Sequence, residues 1–149
     1  MSKELNDALA GSMRLLAARE HSQHELRRKL GQKGHEDEII EQAIEQLASQ
    51  DLQSDQRFVE SFVKSYGERG KGPKRIRLAL QQHQLPAELI ERYLDERDVI
   101  WDEFALQVKL KKFGDEPPED FQHKMKQAKF LEYRGFTHEQ IASVLKNYE

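Results

Sequence analysis

The chain of 149 residues has no cysteine, a single tryptophan, four prolines and only 37% hydrophobic residues. Without thiols there is no disulfide framework, no thiolate metal cage and no cysteine nucleophile. Long apolar runs are missing too. The longest is Leu15-Leu16-Ala17-Ala18, far below the roughly 20 residues that cross a bilayer or the ~7–15 of a secretory signal core. A cytoplasmic protein is therefore expected, and a membrane partner is not. Excess charge of one sign is also lacking, with 24 Lys and Arg facing 27 Asp and Glu for a net −3, which argues against a protein that coats DNA unaided. What is present still suffices to fold around a thin core. Leu, Ile, Val and Phe supply 36 residues, above the level at which a nearly neutral chain stays disordered.

The charged residues are mostly Glu, Lys and Arg, which lose little rotamer freedom in a helix. Apolar residues recur three and four apart: Leu5, Leu9, Met13 and Leu16, then Phe58, Val59, Phe62, Val63 and Tyr66, then Phe104 and Val108. That spacing is a stripe on one helix face. Ser22-Gln23-His24-Glu25 and Thr137-His138-Glu139-Gln140 fit the capping box, and Pro73, Pro86 and Pro118 sit where a first-turn proline costs no hydrogen bond. Nine helices are predicted, at roughly 4–20, 22–32, 36–48, 55–66, 73–83, 87–97, 99–113, 118–133 and 138–147, and no strand.

Displacing the chain by 50 residues lays Leu26 on Ile76, Leu30 on Leu80, Ile40 on Ile90 and Ile44 on Leu94, and a further 51 carries Leu80 to Leu131, Leu85 to Phe136 and Ile90 to Ile141. This is an internal repeat of three helices. An all-α fold follows, with three-helix repeats at 1–50, 51–98 and 99–149 stacked into an elongated, curved array. The third copy is the least regular, because Gly114-Asp115-Glu116-Pro117-Pro118 lengthens the gap before its second helix.

Charge follows the repeat. Residues 64–77 carry net +5 and 19–33 net +3, whereas 36–60 carry net −7 and 87–103 net −5. Opposite signs on neighbouring helices can simply hold helices together and keep them soluble. Successive basic second helices, if aligned, would instead form a stripe that matches a phosphate backbone or an acidic protein groove. There are 12 aromatics, counting Tyr148, and most fall on apolar stripes, so core packing is favoured over base stacking. Leu26, Leu30, Ile76, Leu80, Leu131 and Phe136 are read as core.

No catalytic constellation is legible. His21 and His24 lack a third ligand nearby and read as polar surface histidines, so no metal and no cofactor is expected. Gly67 to Lys74 has neither the spacing of a phosphate loop nor a preceding strand, and reads as a flexible helix connector. The carboxylates lie on solvated faces with no buried pair and no serine is framed as a nucleophile, so no enzyme is expected.

Four segments in register carry a resemblance. Ala18-Arg19-Glu20-His21-Ser22-Gln23-His24-Glu25-Leu26-Arg27-Arg28-Lys29-Leu30, Asp55-Gln56-Arg57-Phe58-Val59, Gly70-Lys71-Gly72-Pro73-Lys74-Arg75-Ile76-Arg77 and Lys129-Phe130-Leu131-Glu132-Tyr133-Arg134-Gly135-Phe136 resemble the successive signatures of the RecX family of bacterial regulators, in its gammaproteobacterial branch. One departure is local: Leu52 stands six residues before Phe58 where the family usually keeps five. The resemblance implies a monomeric modulator of the RecA recombinase that binds in the groove of the RecA–DNA filament, blocks its extension and lowers its ATPase and strand exchange in recombination and the SOS response. The partner-binding residues expected on the basic stripe are Arg27, Arg28, Lys29, Lys71, Lys74, Arg75, Arg77, Lys126, Lys129 and Arg134, with direct contact to single- or double-stranded DNA left open. Lys74, Arg75 and Arg77 are expected to point outward, so that reversing all three would spare the fold. Two other classes stay open: an autonomous nucleic-acid-binding helical repeat protein, and a helical scaffold unrelated to DNA.

Overall fold

A computed structural model describes residues 2–146. Among them are nine α-helices and no strand: α1 (Lys3–Ala18), α2 (Gln23–Gln32), α3 (Asp37–Ser49), α4 (Asp55–Glu68), α5 (Pro73–Gln81), α6 (Ala87–Tyr93), α7 (Ile100–Phe113), α8 (Phe121–Tyr133) and α9 (His138–Leu145). Tyr148 and the last residue of the ninth predicted helix lie outside the described residues. The helices gather into two compact units, one running to Ser61 and taking in His83–Leu85, the other formed by Phe62–Gln82 and the chain from Pro86 onward, so that α4 is shared.

In the first unit α1 and α2 pack on α3 around Leu5, Ala8, Leu9, Leu26, Leu30, Ile40, Ala43, Ile44 and Leu47. Both predicted capping boxes form. The Ser22 hydroxyl accepts from the Glu25 amide at 3.1 Å while the Glu25 carboxylate accepts from the Ser22 amide, and Thr137 and Gln140 repeat the exchange at α9. In the second unit α7, α8 and α9 pack on one another and bury Trp101, Ala105, Leu131, Phe136, Ile141, Val144 and Leu145, with Ile76, Leu80, Ile90 and Leu94 also inside. All six residues read as core from the repeat are buried.

Several local expectations are corrected. Met13 is 48% exposed and is not part of the α1 stripe that enters the core. Pro86 is the N-cap of α6 rather than a first-turn residue. The sixth helix stops at Tyr93 instead of 97, because Leu94 leaves the helical region to bury itself. The carbonyls freed beyond it are taken by the Trp101 indole N–H, on Asp95, and the Gln140 side-chain amide, on Glu96. Pro118 does not open α8. Asp120 does, its carboxylate accepting from the His123 amide at 2.9 Å, because a side-chain acceptor satisfies an orphan donor that proline cannot.

Candidate partner-binding surface

The segment expected to be a flexible connector is a packed joint. Gly70 and Gly72 are buried, and a Cβ on Gly72 would stand 2.3 Å from the carbonyl carbon of Gly135. That approach lets the Gly72 amide donate to the Arg134 carbonyl at 2.7 Å and the Lys74 amide to the Gly135 carbonyl at 3.0 Å. The Arg134 guanidinium returns two bonds, to the carbonyls of Gly70 and Arg69. The N-terminus of α5 is thus docked on the C-terminus of α8, and the Gly135 φ of +104° that the docking needs is open to glycine at little cost.

Both second helices that meet at the joint carry cations. The Arg75 guanidinium lies 4.3 Å from the centre of the exposed Tyr133 ring, close enough for a cation–π contact. Lys126, Lys129 and Tyr133 follow at intervals of three and four along α8 and share its face. Lys74, Lys126 and Lys129 are exposed and Lys71 partly so; among the described residues their side chains make no hydrogen bond or ion pair. Tyr133 was not singled out as a surface residue; its place three residues beyond Phe130 and four beyond Lys129 puts it between the core face and the cationic one.

The remaining predicted residues are differently employed. Arg77 does not point freely outward: half-buried, it donates to Glu91 at 2.9 Å, to Glu96, and to the Leu94 carbonyl. Burial works against its charge, and the two carboxylates outweigh it, holding the guanidinium more firmly protonated than usual. The expectation that Arg77 points outward is thus not met, and a reversal there would set a carboxylate against Glu91 and Glu96. In the first unit Arg27 pairs with Glu41 at 2.8 Å, and Arg28 is exposed with no ion pair among the described residues.

Lys29 reaches inward, its ammonium 2.9 Å from His21 Nε2. An ammonium only donates, so the ring accepts there and is neutral, with Nδ1 donating to the Arg19 carbonyl. His21 is accordingly not a surface histidine; it is 2% exposed and burial lowers its pKa. Nor are all carboxylates solvated. Glu25 is buried, and although desolvation pushes its pKa up, the Arg19 guanidinium and the Ser22 amide hold it below the usual value. Both side chains are consumed in closing the α1–α2 turn. Among the described residues no cluster of three potential metal ligands exists and no helix is long and apolar enough to cross a membrane.

Comparison with known proteins agrees with this arrangement. The first, second and third three-helix domains of RecX match residues 8–47, 54–94 and 103–145. The regulatory protein RecX of Pseudomonas entomophila (strain L48) is 42% identical over 134 residues, covering 90% of this chain and 86% of that protein. That of Serratia proteamaculans (strain 568) is 34% identical over 166 residues, covering 97% and 99%. A crystal structure of RecX from Lactobacillus salivarius superposes with a TM-score of 0.78 over 99% of this chain and 98% of its own, at 18% identity, where likeness speaks for the fold alone. Three RecX domains in order along one all-helical chain, with relatives of this identity over most of its length, make this protein a member of the RecX family of regulatory proteins.

Proposed function

We propose that the protein regulates RecA by lying along the RecA–DNA filament, limiting its extension, its ATPase and strand exchange, and that it does so as a catalytically inert monomer in the cytoplasm. Family membership supports RecA as the target. The observation that carries the proposed contact is the set of cations on α5, α8 and the segment before α5 with no acid of their own: Lys71, Lys74, Lys126 and Lys129, with Arg75 resting on Tyr133. Lys74 stands in the first turn of α5, where a positive charge opposes the helix dipole by roughly 0.3–1 kcal/mol. A polyanion or an acidic groove outside the chain would offset that cost. Arg28 in the first repeat extends the same reading, whereas Arg27, Arg77 and Arg134 would act by holding the basic helices in place.

The test is RecA-driven, DNA-dependent ATP hydrolysis with the wild type and with a Lys74→Glu, Arg75→Glu, Lys129→Glu triple variant that leaves Arg77 intact. The wild type should lower the rate. The variant should need at least tenfold more protein for the same effect, at an unchanged circular dichroism spectrum. Equal inhibition by both would remove the joint from the mechanism. Tight, steeply salt-dependent binding to bare single strands without RecA would favour the autonomous nucleic-acid-binding reading.

A further inference from the structure

Next to Gly70 and Arg134 of the α5–α8 joint, α7 contributes a second surface whose cations, Lys111 and Lys112, the proposed filament contact does not use. Phe104, Val108, Lys111 and Lys112 recur at helical spacing on α7, and with Phe130 of α8 they line a cavity of about 410 Å³. That volume lies within the roughly 300–1,000 Å³ range of ligand sites. Its walls are apolar and held from behind: Phe104 packs edge-on against the buried Trp101 at 5.7 Å between ring centres, and Phe130 meets Phe113 at 5.6 Å and 90°.

The rim is cationic. Arg69, Lys111 and Lys112 are exposed around the mouth, Arg134 lies beside it, and Glu68 is the acid among the lining residues. Among the described residues none of the three exposed cations is ion-paired; Arg69 leans on Tyr66 and Lys112 on Phe130, at 5.2 and 5.3 Å from the ring centres. An apolar hollow ringed by unneutralised cations is complementary to an apolar side chain carried between carboxylates.

We propose that this cavity docks an acidic peptide segment of a protein partner through one bulky apolar side chain, inserted between Phe104, Val108 and Phe130, with flanking carboxylates on Arg69, Lys111 and Lys112. A nucleotide is the weaker fit. A buried base needs both donors and acceptors along its edge, and the polar side chains of the lining are cations, Arg69, Lys111, Lys112 and Arg134, with only Gln107 and Glu68 able to accept. The proposal does not depend on the filament reading, since binding is measured without recombinase or DNA.

The probe is a fluorescein-labelled peptide with one phenylalanine flanked on each side by three acidic residues, followed by fluorescence anisotropy with the whole 149-residue chain. Binding should weaken at least tenfold when the phenylalanine becomes alanine, and at least tenfold again with the Lys111→Glu, Lys112→Glu variant, whose substituted positions are exposed and should leave the circular dichroism unchanged. A second variant, Gln107→Trp, covers the mouth without altering charge and should also abolish binding. Equal binding of the two peptides, or undiminished binding to the charge-reversed protein, would overturn the proposal. So would an oligonucleotide that binds in a Lys111- and Lys112-dependent way where the peptide does not, which would assign the cavity to nucleic acid.

Discussion

The first and second repeats tie their basic second helix to their acidic third helix with the same pair fourteen residues apart, Arg27–Glu41 and Arg77–Glu91, each bidentate. In the third repeat the corresponding positions are Ala128 and Ala142. Both partners are gone together, so no uncompensated charge is left. The charge segregation visible along the sequence thus has two parts. In the first two copies one arginine of the second helix is neutralised by the third helix. In the third copy α9 carries one acid, Glu139, and Lys126 and Lys129 on α8 remain open to whatever lies outside. The third copy lacks the internal pair that the other two share.

The sharpest way to break this comparison is to remove the pairs. The Arg77 side chain is 24% exposed and serves two carboxylates and a carbonyl, whereas Arg27 is 42% exposed and pairs with one carboxylate. Hydrogen bonds to charged groups at a partly buried site contribute about 2 kcal/mol, and exposed pairs about 0–1. Arg77→Ala should therefore lower the urea-unfolding free energy by about 2 kcal/mol and Arg27→Ala by less than about 1. Equal losses would mean that burial does not distinguish the two copies.

This inequality also marks what the sequence made legible. Apolar spacing reports burial directly, so the helices, the repeat and the six core residues were all readable. The capping boxes were readable because their chemistry is complete within four residues. The role of Arg77 was not, since a guanidinium at a nominally outward position can turn along its stem toward an acid fourteen residues away, and nothing local in sequence fixes that rotamer. Nor was the joint at Gly72: glycines read as freedom until Gly135, sixty-three residues on, is found against one of them. His21 was misread for the same reason, its burial being decided by Lys29 and the fold of the α1–α2 turn rather than by its neighbours in sequence.

The histidines give a second contrast, this time in pH. The turn between first and second helices contains His21-Ser22 in the first repeat and Lys71-Gly72 in the second. His21 is surrounded by Arg19, Lys29 and Glu25, and His83, bonded to Ser22 Oγ at 2.8 Å, faces His24, Arg19, Arg28 and Glu25. Burial lowers both pKa values below the usual 6.5. Between the depressed folded value and 6.5 the unfolded chain therefore binds more protons, so stability is complete above this window and falls as pH drops through it. Each histidine contributes a slope of at most about 1.4 kcal/mol per pH unit. Hydrogen exchange at pH 7.5 and 5.5, corrected for intrinsic rates, should show α2 losing protection at the lower pH while α9 keeps its own, and a His21→Gln, His83→Gln variant should flatten the difference. Uniform loss across both units would refute a local origin.

The smallest effect, and the one that most directly sharpens the comparison, is to give the third repeat the pair it lacks. Ala128 is partly buried and Ala142 exposed, and both Arg and Glu are good helix formers, so Ala128→Arg with Ala142→Glu introduces no propensity cost of note. If α8 and α9 keep the relation that α2 and α3 have, the two side chains should find each other, and an exposed pair of this kind contributes about 0.5 kcal/mol. The measurement is a double-mutant cycle in urea, in which the coupling between the two substitutions isolates the pair from the effect of either change alone. A favourable coupling similar to that of the Arg27–Glu41 cycle would show that the three repeats share one helix-packing geometry and differ only in how they use charge. No coupling in the third repeat, with a clear one in the first, would mean that the extra turn at the start of α8 has shifted its face against α9. The alanines would then be a consequence of changed packing rather than a release of charge toward a partner.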